Sequence, residues 1–323
     1  MSDYSLFILL VVILAYCFDF INGFHDASNS IATIVTTGVL TPKQAVVWAA
    51  FFNLMGFFLF NLMVAKTIGQ GIVDPQVISP KLIFAALTAA ISWGLITWYY
   101  GLPSSSSHAI IGGLAGAAVA SSGFSSLEPS GLMKVACGIF VSPILGLVAG
   151  LGLIYLFNSK IKGSERLYKY AQLISSSLLN ISHGGNDAQK TMGIISTLLF
   201  SAAWIKGPFY IPLWVVVSCY AVISLGTLMG GFRIVRTLGS GITPLNPMRG
   251  AAAEMGAAGI LLVATELGIP VSTTQTITGA IAGVGLHHTA DAIYWPMLRR
   301  IFFAWLLTLP ATGFIAASII LLS

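Results

Sequence analysis

The stretch Gly101-Leu102-Pro103-Ser104-Ser105-Ser106-Ser107-His108 is written a second time as Gly268-Ile269-Pro270-Val271-Ser272-Thr273-Thr274-Gln275. The offset is 268 − 101 = 167 residues, and at that offset Pro80 falls on Pro247, Gly112 on Gly279 and Gly116 on Gly283. An earlier pair, Gly23-Phe24-His25-Asp26-Ala27-Ser28-Asn29 and Gly184-Gly185-Asn186-Asp187-Ala188-Gln189-Lys190, sets Asp26 and Asp187 187 − 26 = 161 residues apart. The chain therefore reads as two copies of one unit. Each copy carries an Asp-bearing interruption and a hydroxyl-rich one. Paired Gly/Pro-interrupted apolar segments at matching places in two halves point to a transport site between them.

What surrounds these interruptions is apolar. Of the 323 residues, 56% are hydrophobic and 8% charged, against roughly 25% charged in soluble domains. Runs of about 20 apolar residues, enough to cross a hydrocarbon layer, recur along the chain. The fold class is all-α integral membrane protein. Tyr4–Phe20 reads as a first span, since no basic n-region or cleavage site marks a signal peptide. Cys17, Cys137 and Cys219 stand alone, so neither zinc nor a disulfide framework is indicated. The net charge of +5 comes from short loops and does not suggest nucleic acid.

The expected units are residues 1–159 and 171–323, joined by a polar connector at 160–170. In each unit the first helix is expected to break, at Asn22–Ser30 and at His183–Lys190. A later hairpin, 80–121 or 247–288, is expected to carry the hydroxyl tip. If each first helix crosses the membrane once, ten basic residues share one side: Lys43, Lys160, Lys162, Arg166, Lys169, Arg233, Arg236, Arg249, Arg299 and Arg300. Lys66, Lys81, Lys134 and Lys206 fall on the other. The positive-inside rule makes the first side cytoplasmic, with both chain ends outside. Two full spans and one re-entrant hairpin agree equally with the charges at 80–121. Re-entrant hairpins bring the hydroxyl tips to the midplane. Either way each unit crosses an odd number of times, which makes the two units inverted repeats.

Helix starts favour anions through free amides and the dipole. Ser105, Ser106 and Ser107 after Pro103, and Ser272, Thr273, Thr274 and Gln275 after Pro270, thus suit a tetrahedral oxyanion; plain N-capping is the competing reading. Asp26 and Asp187 are costly in a bilayer unless paired or ion-bound. With Asn22, Asn29 and Asn186 they offer oxygens to a hard cation such as sodium, the competing reading being an Asp187–Lys190 ion pair. Asn180 adds another amide. Glu254 aligns with Leu87 and is a candidate proton site, cation ligand or partner of Lys190. Asn53 is expected in an interhelical hydrogen bond, Glu266 near water, His25, His108 and His183 in supporting hydrogen bonds, and His287-His288 at the interface.

These same motifs resemble those of the inorganic phosphate transporter family. The carriers are Gly23–Ser30, His183–Asp187, Ile242-Thr243-Pro244-Leu245-Asn246-Pro247 and Gly268–Thr274. The family usually has Asn where this chain has His25, and His where it has Gln275. The resemblance implies phosphate as substrate, sodium or protons as the driving ion, symport across the plasma membrane, a homodimer, and no enzymatic activity. Sulfate, an anion channel and a carboxylate-dyad hydrolase are the alternatives that the residues leave open.

Overall fold

The computed structural model describes residues 3–160, 163–287 and 289–323. Its helices run in one sequence of six, written twice. The first six are α1 (Asp3–Thr36), α2 (Pro42–Met55), α3 (Met63–Gln70), α4 (Pro80–Tyr99), α5 (Ser106–Ser122) and α6 (Pro129–Lys160). The second six are α7 (Glu165–Ser201), α8 (Leu213–Met229), α9 (Phe232–Gly239), α10 (Pro247–Glu266), α11 (Thr273–Leu286) and α12 (Trp295–Leu322). Lys162 and His288 lie outside the described residues. Many helix starts are visible in the sequence. Thr41 and Gln44 form a capping box ahead of α2, while Ser79 and Asn246 cap α4 and α10, each followed by proline at the first helical position.

Polarity is arranged for lipid. Leu6, Leu10 and Ile13 on α1, Phe140, Ile144 and Val148 on α6, and Phe302, Leu306 and Phe314 on α12 face outward. Gln172, Ser175, Ser176 and the polar side chains from Asn180 to Thr197 on α7 are buried instead. α1, α4, α6 and α12 are long and apolar enough to cross a membrane.

The first helices are not broken where the polar residues stand. α1 and α7 run unbroken through Asn22–Ser30 and His183–Lys190. The glycines there serve approach rather than opening. A Cβ on Gly23 would strike the carbonyl of Ile223 in α8, and one on Gly184 the backbone of Asn53 in α2. The polar side chains bond across to other helices, so the backbone ladder need not yield. The breaks lie one helix later. α2 with its short 3₁₀ extension meets α3 at 85°, and α8 meets α9 at 76° across Gly230, whose φ of 69° suits only glycine.

The bent-off helices hold the hairpins. Thr67 of α3 donates to Gly268 O and Thr237 of α9 to Gly101 O, both at 2.8 Å. These two glycines turn the hairpins with φ of 66° and 64°. α6 packs on α11 and α12 on α5, so each long closing helix lies on the other unit's hairpin. The tips then meet reciprocally: Ser107 Oγ donates to Val271 O and Thr274 Oγ1 to Ser104 O, each at 3.1 Å.

Candidate functional site

α1 and α7 bring their carboxylates to one place, against both hairpin tips. Ligand atoms of Asp26, Asp187 and His183 lie within 4.8 Å of one another, all buried. Asp187 Oδ1 lies 2.7 Å from Lys190 Nζ, one helical turn away. The same oxygen accepts from Thr273 Oγ1 at 3.1 Å, while Oδ2 accepts from Ser106 Oγ at 3.4 Å. Ser106 Oγ in turn receives Lys190 Nζ at 3.4 Å. Asp26 Oδ1 contacts His25 Nδ1 at 2.9 Å, with Thr274 Oγ1 3.5 Å away. His25 Nε2 reaches Thr97 and Ser104, which ties Asp26 to the first hairpin.

The hydroxyls thus divide by position. Ser105 and Ser272 are the N-caps of α5 and α11, accepting from His108 N and Gln275 N. The next residues, Ser106 and Thr273, touch Asp187. Ser107 and Thr274 bind the opposite tip. Gln275 turns aside, its Oε1 accepting from Ser142 on α6.

The amides supply unsatisfied groups. Neither amide atom of Asn22 has a hydrogen-bond partner among the described residues, nor do Asn29 Oδ1, Asn180 Oδ1 and Asn186 Oδ1. Asn29 Nδ2 donates to Thr274, and Asn186 Nδ2 to Thr265. A narrow cavity at the first tip is lined by Asn22, His25, Ser104 and Ser106. Buried polar atoms left unpaired are costly, so this cluster is built for something more than packing. Its donor hydroxyls suit an oxyanion, and its carboxylates and amide oxygens suit a cation.

Glu254 lies in a different network. Thr33 of α1, with Gln172 and Ser175 of α7, donates to its two oxygens. It is therefore not the partner of Lys190. Asn53 joins helices as expected, donating to Thr227 and touching His183 Nδ1. Glu266 ends α10 and accepts from exposed Asn61.

One buried carboxylate was hidden in a hydrophobic run. Asp19 accepts from Thr191 Oγ1 at 2.8 Å, and its second oxygen has no partner among the described residues. The usable signal was the residue type itself, because a carboxylate within an apolar span is costly wherever it falls.

A polar, carboxylate-bearing centre sealed among lipid-facing helices is what a multi-pass membrane transporter requires. The phosphate transporter family matches residues 22–165 and 158–316, and the chain belongs to it. A probable low-affinity inorganic phosphate transporter of Rhizobium meliloti (strain 1021) is 53% identical over 312 residues, covering 95% of this chain and 93% of the relative. A protein of the same name from Bacillus subtilis (strain 168) is 42% identical over 316 residues, with 96% and 95% covered. A solved structure, "The sodium-dependent phosphate transporter", superposes with a TM-score of 0.90 at 24% identity over 98% of both chains, a likeness of fold.

Proposed function

We propose that this phosphate transporter is a cation-coupled symporter that imports phosphate across the plasma membrane by alternating access, with sodium favoured over protons. The observation that carries this is the convergence of Asp26 and Asp187 with the hydroxyls of both hairpin tips. An anion bound by Ser106 and Thr273 would face two carboxylates, of which Lys190 balances one. Cations between them offset that charge and make substrate and cation binding mutually dependent. The cation ligands in this reading are Asn22, Asp26, Asn29, Asn186 and Asp187, and Glu254 and Lys190 are coupling or proton sites.

The two units, 1–159 and 171–323, are read as inverted repeats. Support comes from the reciprocal bonds Ser107 to Val271 and Thr274 to Ser104, which map onto each other at the 167-residue offset. The cytoplasmic connector, external chain ends and homodimer belong to the same proposal. The test is radiolabelled phosphate uptake into proteoliposomes with sodium and pH gradients imposed separately. Accumulation driven by either gradient supports symport, and the effective gradient names the ion. Equilibration without accumulation under both gradients would make the protein a channel.

A further inference from the structure

We propose that Lys190 is a tethered cation, filling in the second half of the site the place that a mobile coupling cation takes in the first. This rests on the reading that a mobile cation binds among the oxygens beside Asp26, and it revises that reading at Asp187, where the ammonium stands in place of an ion from solution. Within the repeat, Asn22, Asp26 and Asn29 align with His183, Asp187 and Lys190, since 183 − 22 = 187 − 26 = 190 − 29 = 161. In the first half these three side chains offer oxygens. Asn22 Oδ1 and Asn29 Oδ1 are buried beside Asp26, and neither has a partner among the described residues. Oxygen ligands with one negative charge suit a small hard cation. His25 touches Asp26 Oδ1 from the same helix, but an imidazole carries no permanent charge.

In the second half His183 and Lys190 set nitrogens in the places of Asn22 and Asn29. Lys190 Nζ, on a side chain only 1% exposed, lies 2.7 Å from Asp187 Oδ1 and 3.4 Å from Ser106 Oγ. The ammonium balances the carboxylate and reaches the first hydroxyl tip, so it meets the anion site from the cation side. A further cation beside Asp187 would face a like charge at contact range, without the amide oxygen that Asn29 offers in the first half. Lys190 does not leave with the substrate. The coupling ratio is therefore one cation lower than two oxygen-lined halves would give, and the specificity of this half for cations is lost.

The experiment uses the full chain in detergent. Radiolabelled phosphate binding is titrated against sodium chloride, with choline chloride holding ionic strength, for wild type, Lys190→Asn and Lys190→Arg. Lys190→Asn should weaken phosphate binding in choline at least tenfold. It should also add one sodium per phosphate to the slope of log Kd against log sodium concentration. Lys190→Arg, which keeps the charge, should stay within about threefold of wild type. Should Lys190→Asn fail to fold, Lys190→Gln gives the same two readouts on a longer stem. A wild-type sodium slope in the neutral variant overturns the proposal. So does wild-type phosphate binding by Asp187→Asn/Lys190→Asn, which would make the pair structural. Asp26→Asn with unchanged cation dependence would count against the first-half cation site alone, because the sodium recruited by Lys190→Asn is read at Asp187.

Discussion

Replacing Glu254 with leucine should destabilise the folded protein by about 2–6 kcal/mol, a figure that follows from counting stranded donors. Glu254 Oε1 accepts from Thr33 Oγ1 at 2.5 Å and Gln172 Nε2 at 3.1 Å, and Oε2 from Ser175 Oγ at 2.6 Å. All four residues are 0% exposed. Ser175 has a second acceptor, Gln172 O at 3.1 Å, and its hydroxyl turns there when the carboxylate is removed. Thr33 Oγ1 and Gln172 Nε2 are left without one, at about 1–3 kcal/mol each. The first unit solves the same geometry with hydrocarbon. The positions equivalent to Gln172, Ser175, Glu254 and Thr33 are Val11, Leu14, Leu87 and Ile194, which belong to one apolar cluster. Glu254→Leu combined with Thr33→Ile and Gln172→Val should therefore regain most of the lost stability, because removing both partners of a buried hydrogen bond is nearly neutral. Thr37, which also donates to Gln172, has Ile34 O within reach. Unfolding by sodium dodecyl sulfate in mixed micelles, followed by tryptophan fluorescence, measures both variants. A single variant as stable as wild type, or a triple variant no better than the single, would refute the reasoning. Phosphate uptake by the stabilised triple variant then reports on coupling free of folding effects, and it should be lost.

The hydroxyls of each tip should separate by role. Ser105→Ala and Ser272→Ala remove N-caps and should each cost about 0.5–2 kcal/mol in the same titration, whereas Ser106→Ala and Thr273→Ala, which strip hydroxyls from Asp187, should weaken phosphate binding more than they lower stability. The reverse assignment would place the anion at the caps instead. For orientation, a cysteine at Ser164 in a cysteine-free background should react with impermeant reagent only from the cytoplasm, and one at Gln76 only from outside. Same-side labelling of both would remove the inverted arrangement.

Local rules made the helix ends and the doubled plan readable, and they failed where a residue's partner is distant in sequence. Ser79-Pro80 and Asn246-Pro247 announce α4 and α10 because a cap and a proline act within one turn. Gly23 and Gly184 looked like breakers because their role, admitting the backbones of Ile223 and Asn53, depends on helices far along the chain. Of the true bends, the one at 59–62 carries no glycine or proline to mark it, whereas Gly230-Gly231 is a local turn signal that ends α8. Asp26 and Asp187 stood out as buried carboxylates. That they meet, and that Ser106 and Thr273 both reach Asp187, depends on hairpins crossing from opposite halves. The Asp187–Lys190 pair was readable from its spacing of three. Asp19 was legible as a carboxylate within an apolar span, but its partner, Thr191, 172 residues away, was not.

The two units have kept one set of contacts and changed another, and the division is informative. Bonds that join hairpin to scaffold recur, Thr67 to Gly268 beside Thr237 to Gly101, and so do those that join tip to tip, Ser107 to Val271 beside Thr274 to Ser104. Charge recurs only in part: Asp187 answers Asp26, but Glu254 stands against Leu87 and Lys190 against Asn29. On the proposed reading, a scaffold whose halves make equivalent bonds can exchange their geometries with little change in energy. Two such states then differ by only a few kcal/mol, and a ligand shifts them by its differential affinity alone. Moving an equilibrium from 1:99 to 99:1 takes about 5.5 kcal/mol of such preference. On that reading, one cation and one phosphate bound between the tips have to supply it. The unequal charges act separately, by setting which half requires an ion from solution and which carries its own. Symmetry in the bonds thus keeps the transition easy, and asymmetry in the charges makes it depend on the ion.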